Sequence, residues 1–151
     1  MPIEARYVHT NVVARDWRAL ARFYQKVFGC VPVPPERDLR GAWLGAATGI
    51  PDARAEGLHL RLPGYGEAGP TLEIFQYVPE AGRPATAANR PGLGHLAFGV
   101  ADVAAARDAV LAAGGGQLGE LIVTPIAGVG EITFVYATDP EGNIIELQQW
   151  R

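Results

Sequence analysis

Two histidines, His9 and His95, each sit inside an apolar run, and each is followed seven residues later by an aspartate, Asp16 or Asp102. Two glutamates, Glu73 and Glu146, likewise interrupt apolar runs, TLEIFQY and NIIELQQW. Imidazole nitrogens and carboxylate oxygens, with no thiolate among them, suit a divalent ion such as Zn, Ni, Co, Fe or Mn. A carboxylate on a sheltered strand face is costly unless it is paired or metal-bound, and two together repel. A divalent cation resolves both problems. An octahedral ion held by His9, Glu73, His95 and Glu146 keeps positions open for water or substrate, which marks a catalytic rather than a structural ion. His59 differs from these. It alternates with Leu58 and Leu60 in LHLRL, shares a face with Arg61, has no counterpart elsewhere in the chain, and reads as a surface or cleft-lining residue rather than a ligand.

A lone histidine or glutamate on a strand is ordinarily hydrogen-bonded or solvated, so the case rests on repetition. HTNVVARDWRALARFYQKVFG from His9 matches HLAFGVADVAAARDAVLAAGG from His95, and in both the helical pattern stops at glycine, Gly29 or Gly114. Internal repeats decide architecture. After each aspartate, an N-cap whose carboxylate accepts from the free first-turn amides, a helix is expected. The first places Leu20, Phe23, Tyr24, Val27 and Phe28 on one face; the second carries the thinner stripe Val103, Ala106, Val110 and Ala113. The runs YVHTNVV, AWLGAA, LHLRL, TLEIFQYV, LGHLAFGV, ITFVYA and NIIELQQW read as strands, with a weaker one in QLGELIV. Turn clusters PGYGEAGP and ATDPEGN separate them.

The expected fold is therefore α+β: one domain over 1–151 built of two βαβββ modules, 7–77 and 92–150, joined by a polar, proline-bearing linker at 78–91. The modules are expected to form curved half-barrel sheets around a metal cleft. Period-2 alternation puts Glu73, Phe75 and Tyr77 on one face of their strand and Glu146, Gln148 and Trp150 on one face of theirs.

Composition narrows the classes of function. With 13 Lys and Arg against 16 Asp and Glu, the net charge of −3 argues against a nucleic-acid grip. No apolar run is long enough to span a membrane. The charged start MPIEAR lacks a signal-peptide core. The single cysteine, Cys30, excludes an intramolecular disulfide and fits a reducing compartment, so a cytoplasmic location is expected.

The segments VHTNVVARDWRALARFYQKVFG, TLEIFQY, GLGHLAFGVAD and DPEGNIIELQQW, in that order, resemble the vicinal oxygen chelate superfamily, which includes glyoxalase I, extradiol dioxygenases and bleomycin resistance proteins. The resemblance runs from Tyr7 to Trp150 and implies paired βαβββ modules and a homodimer. It is nearest glyoxalase I in ligand set, whose His, Glu, His and Glu fall on His9, Glu73, His95 and Glu146. In bacterial glyoxalase I an Arg holding the glutathione carboxylate and an Asn contacting glutathione stand at the positions occupied here by Val13 and Tyr77, which makes a glutathione thioester substrate unexpected.

The resemblance implies a metal-dependent lyase, isomerase or epimerase acting on a small molecule. A proton would move next to a carbonyl through a metal-chelated enediolate. Glu146 is expected to take the proton and Glu73 to return it. Two alternatives stand beside it. One is an Fe(II) extradiol-type dioxygenase using His9, His95 and Glu146. The other is a non-enzymatic binder of a small molecule or antibiotic, with Trp43, Phe75, Tyr77 and Trp150 lining a cleft.

Overall fold

A computed structural model describes all residues, 1–151. The chain forms two compact units, Met1–Gly82 and Arg83–Arg151. It is an α+β protein with two separate sheets, neither closed into a barrel.

The first unit runs β1 (His9–Val13), α1 (Trp17–Phe28), β2 (Val31–Arg40), α2 (Ala42–Thr48), β3 (Arg54–Arg61) and β4 (Thr71–Val78). Its sheet has the order β1-β4-β3-β2, so the first strand lies parallel beside the last. Asp16 caps α1 as expected, accepting from the Ala19 amide at 2.9 Å, and Gly29 ends it in the left-handed region at φ 67°. The side chains of Leu20, Phe23 and Tyr24 are buried, as are Leu58, Leu60, Leu72 and Ile74 of the sheet. These residues make α1 the cover of one sheet face. The alternate residues of β3 and β4 are left for the other face, where chemistry can be placed.

Two elements differ from expectation. AWLGAA is not a strand but helix α2, which buries Leu44 against Ala53, Ala55 and Phe75. Alanine favours helix, Gly49 at φ 73° supplies its stop, and one apolar anchor is enough for so short a piece. Trp43, expected to line a cleft from a strand, is instead on this helix and is 57% exposed. The second difference is β2, which the sequence reading left unassigned. Its prolines, Pro32, Pro34 and Pro35, discourage a strand assignment, yet β2 is an edge strand, where missing amides can be tolerated. Its register with β3 shifts between Val33 and Arg37.

The second unit runs β5 (Leu96–Gly99), α3 (Val103–Ala112), β6 (Gly116–Gln117), β7 (Ile122–Ile126), β8 (Gly130–Thr138) and β9 (Ile144–Trp150). The order β5-β9-β8-β6 repeats that of the first unit, and β7 also pairs with β8. The short β6 and β7 together take the edge place that β2 holds alone. Asp102 caps α3 through the Ala105 amide at 2.9 Å. Only Val103 and Val110 of α3 are buried, so this helix contributes less apolar burial than α1. Asp139 is the one fully buried acid. Its Oδ1 accepts from the Glu141 and Asn143 amides and its Oδ2 from the Asn143 side chain, at 2.8–3.0 Å. This knot fixes the β8–β9 turn and with it the register that sets Glu146 opposite Tyr136. No helix is long and apolar enough to cross a membrane.

Candidate metal centre

In the first unit the strand registers line up rows of side chains across the face away from α1. One row is His9, Thr71, Arg61 and Val31; the next is Asn11, Glu73, His59 and Val33; the third is Val13, Phe75, Gly57 and Arg37. Glu73 therefore lies at the centre, with a nitrogen donor on each flank. Its Oε1 accepts from the Asn11 amide at 2.8 Å and lies 3.5 Å from His9 Nε2, while its Oε2 is 2.7 Å from His59 Nε2. The carboxylate side chain is only 14% exposed. Ligand atoms of His9, His59 and Glu73 all lie within 4.8 Å of one another, close enough to share one ion.

His59 is oriented from behind. Its Nδ1 lies 2.8 Å from the Thr71 hydroxyl, and a hydroxyl can donate or accept. When Thr71 donates, His59 carries its proton on Nε2 and gives it to Glu73. When Thr71 accepts, the Nε2 lone pair faces inward and a cation must separate it from the carboxylate oxygen. This is the arrangement of a metal-ligating histidine held by an outer partner. Burial pushes the His59 pKa down; the Glu73 charge opposes that shift, while Arg37 and His9 add to it, and the result is a preference for the neutral imidazole that ligation needs.

Close packing builds the floor of this face. A Cβ on Gly57 would lie 1.8 Å from the Ile74 carbonyl oxygen and 2.7 Å from the Phe75 ring, so only glycine fits there. Phe75 then packs with Leu44 of α2, and Tyr77 lies against the same cluster. The face is thus apolar at the α2 end and polar at the His9–Arg61 end.

In the second unit His95 directly precedes β5, and its Nε2 lies 3.1 Å from Glu146 Oε2. Glu146 is flanked by Ala97 on β5 and Tyr136 on β8. The Tyr136 and His95 rings are 5.1 Å apart, the same separation as His9 and His59. Burial, then the Glu146 charge, raises the Tyr136 pKa and keeps the phenol protonated. Each half therefore pairs one His with one Glu. His59, which the sequence reading set aside, joins the first pair. The signal that could have found it is the strand alternation that aligns His59 with Glu73, but this needs the register across the β3–β4 loop.

Comparison with known proteins agrees with this architecture. The family model described as the Glyoxalase/Bleomycin resistance protein/Dioxygenase superfamily matches residues 6–147. No functionally curated protein matches the sequence. Among solved structures, a glyoxalase family protein from Bacillus cereus is 16% identical with a TM-score of 0.80, covering 99% of this chain and 96% of that one. A glyoxalase family protein from Enterococcus faecalis is 24% identical with a TM-score of 0.56, covering 97% of each chain. A glyoxalase I variant from Zea mays is 22% identical with a TM-score of 0.61; the match covers 95% of this chain but 44% of that longer one. At these identities the solved structures speak for the fold alone, while the family match spans nearly the whole chain. The chain belongs to the Glyoxalase/Bleomycin resistance protein/Dioxygenase superfamily.

Proposed function

We propose that this protein is a divalent-metal-dependent enzyme of the glyoxalase I-like kind, moving a proton next to a carbonyl of a small substrate. The observation that carries the reading is the convergence of His9, His59 and Glu73 within 4.8 Å around a sheltered carboxylate. That donor set fits an ion such as Zn, Ni, Co, Fe or Mn. His9 and Glu73, with His59 added, are the proposed ligands of the first unit, and His95 and Glu146 the proposed ligands of the second. A bound divalent ion supplies Lewis acidity toward substrate oxygens.

The chain's own residues divide the remaining work. Glu73 has both oxygens engaged, by Asn11 and His9 on one side and His59 on the other, which suits a fixed ligand rather than a group that returns a proton. Glu146 is hydrogen-bonded to His95 alone and is the better base, free to turn toward a carbon-bound proton. Thr71 orients His59, and Tyr136 beside Glu146 offers a phenolic proton. The single buried cysteine supports a cytoplasmic setting, and the family resemblance supports a homodimer.

Metal analysis after reconstitution and a turnover screen of hemithioacetals, 2-substituted thioesters and catechols test the reading. Glu146→Gln is expected to abolish turnover while retaining metal; full activity in that variant would remove Glu146 as base. Failure to bind any divalent ion would overturn the enzyme reading. A second reading is favoured by the two-His-one-carboxylate composition of the first half, which is also that of non-haem Fe(II) oxygenases. Oxygen uptake on catechols would establish it in place of the first.

A further inference from the structure

Along β3 the site face carries Gly57, His59 and Arg61 at alternate positions, and Arg37 of β2 stands in register with Gly57. Two guanidinium-bearing residues therefore flank His59. Arg37 is near enough for its charge to oppose protonation of that imidazole. Neither is paired with a carboxylate, unlike several other arginines of the chain. Arg15, Arg18, Arg40, Arg54 and Arg107 each lie within 3.2 Å of a carboxylate. Arg37 instead donates to the Pro35 carbonyl, and Arg61 makes no ion pair. The Arg61 Nε is removed from solvent and has no hydrogen-bond partner.

A desolvated donor on a fixed positive charge is costly, and arginine cannot relieve the cost by losing its proton. The carboxylate nearest in the rows, Glu73, already has both oxygens engaged. Across the sheet Arg61 is separated from His9 only by Thr71. A planar, unneutralised guanidinium thus stands beside the ligand set, at the polar end of a face whose other end is the apolar floor of Phe75, Tyr77 and Leu44. Guanidinium groups bind carboxylate and phosphate oxygens through paired charge-assisted hydrogen bonds.

We infer that Arg61, with Arg37 on the opposite flank of His59, forms an oxyanion subsite beside the metal ligands, so the substrate is a small acid bearing a carboxylate or phosphate-type head. The inference deepens the metal-dependent reading, and for its reacting end rests on it. The anionic head lies toward Arg61, at the polar end of the face.

Calorimetric titration of the metal-loaded protein with oxalate and with acetohydroxamate, which chelates through two oxygens but has no carboxylate head, separates carboxylate recognition from chelation. Arg61→Gln is expected to weaken oxalate at least about tenfold while acetohydroxamate stays within about twofold, the loss of a charge-assisted pair. Unchanged oxalate affinity, or equal loss of both chelators, would overturn the inference. Arg61→Lys guards against a folding defect: replacing the fork by a point charge should weaken oxalate about threefold and leave acetohydroxamate alone. Identical oxalate affinity in this variant would count against the subsite. Titration of metal-free protein with inorganic phosphate keeps the two readings apart. Phosphate binding lost in Arg61→Gln, in a protein that takes up no metal, would uphold the anion subsite and overturn the metal reading. Metal uptake with phosphate and oxalate binding insensitive to Arg61 would do the reverse.

Discussion

The two halves share a strand order and a His–Glu pair, yet they surround the glutamate differently. Glu73 lies between Asn11 and His59, whereas Glu146 lies between Ala97 and Tyr136. Three nitrogen-bearing side chains reach the first carboxylate and one reaches the second. One scaffold thus produces a rigid anchor in the first half and a lightly held carboxylate in the second. Under the proposed function the first environment suits a ligand, because a hydrogen-bonded, desolvated ligand set leaves little reorganisation, and the second suits a base, which must be able to move.

The largest test of this contrast is to neutralise each glutamate in turn. Glu73→Gln should lower metal affinity by more than the roughly 10–100-fold that loss of an outer partner costs. Glu146→Gln should lower it by about tenfold or less; competition with a fluorescent chelator measures both. Equal losses would erase the distinction between anchor and base. Tyr136→His would sharpen it from the other side, placing an imidazole opposite Glu146 as His59 stands opposite Glu73. Binding by the second-half pair, isolated in a His9→Ala, His59→Ala, Glu73→Gln background, should then rise about 10-fold or more, on the scale of one ligand-set partner.

A smaller contrast concerns packing. Gly57→Ala forces a methyl group onto the Ile74 carbonyl and should cost about 1–3 kcal/mol. Gly99→Ala, on β5 of the second half, meets nothing within 4 Å and should change stability by about 0.5 kcal/mol or less. Urea unfolding of the two variants compares them directly. The smallest difference between the halves is expected at the helix starts, where they agree. Asp16→Ala and Asp102→Ala should each cost about 1 kcal/mol, since each removes one side-chain cap at 2.9 Å. A clear difference between them in the same unfolding experiment would show that the two caps are not equivalent.

Much of this fold could be read from local signals. Asp16, Asp102 and Gly29 mark helix ends by their own chemistry, and TLEIFQYV and NIIELQQW alternate as half-buried strands do. The parts that escaped reading depend on neighbours distant in sequence. Pro32, Pro34 and Pro35 argue against a strand until β2 is known to be an edge. Trp43 and Leu44 suggest a strand until Leu44 is seen to need one contact with Phe75. His59 has no histidine counterpart in the other half, where its place is taken by Tyr136, so repetition does not point to it. Repetition identifies what two halves share and hides what makes them unequal.

The pairing of first strand with last has a consequence for folding. His9 and Glu73 stand at opposite ends of the first half, and His95 and Glu146 at opposite ends of the second, 51 residues apart. Neither pair exists until the whole of its half has folded, because such long-range strand pairing closes the largest loop in each unit. A nascent or partly unfolded chain therefore offers solitary imidazoles and carboxylates, which bind divalent ions weakly. An ion bound at the proposed ligands would select the finished fold, and its binding energy would be added to the stability of that state alone.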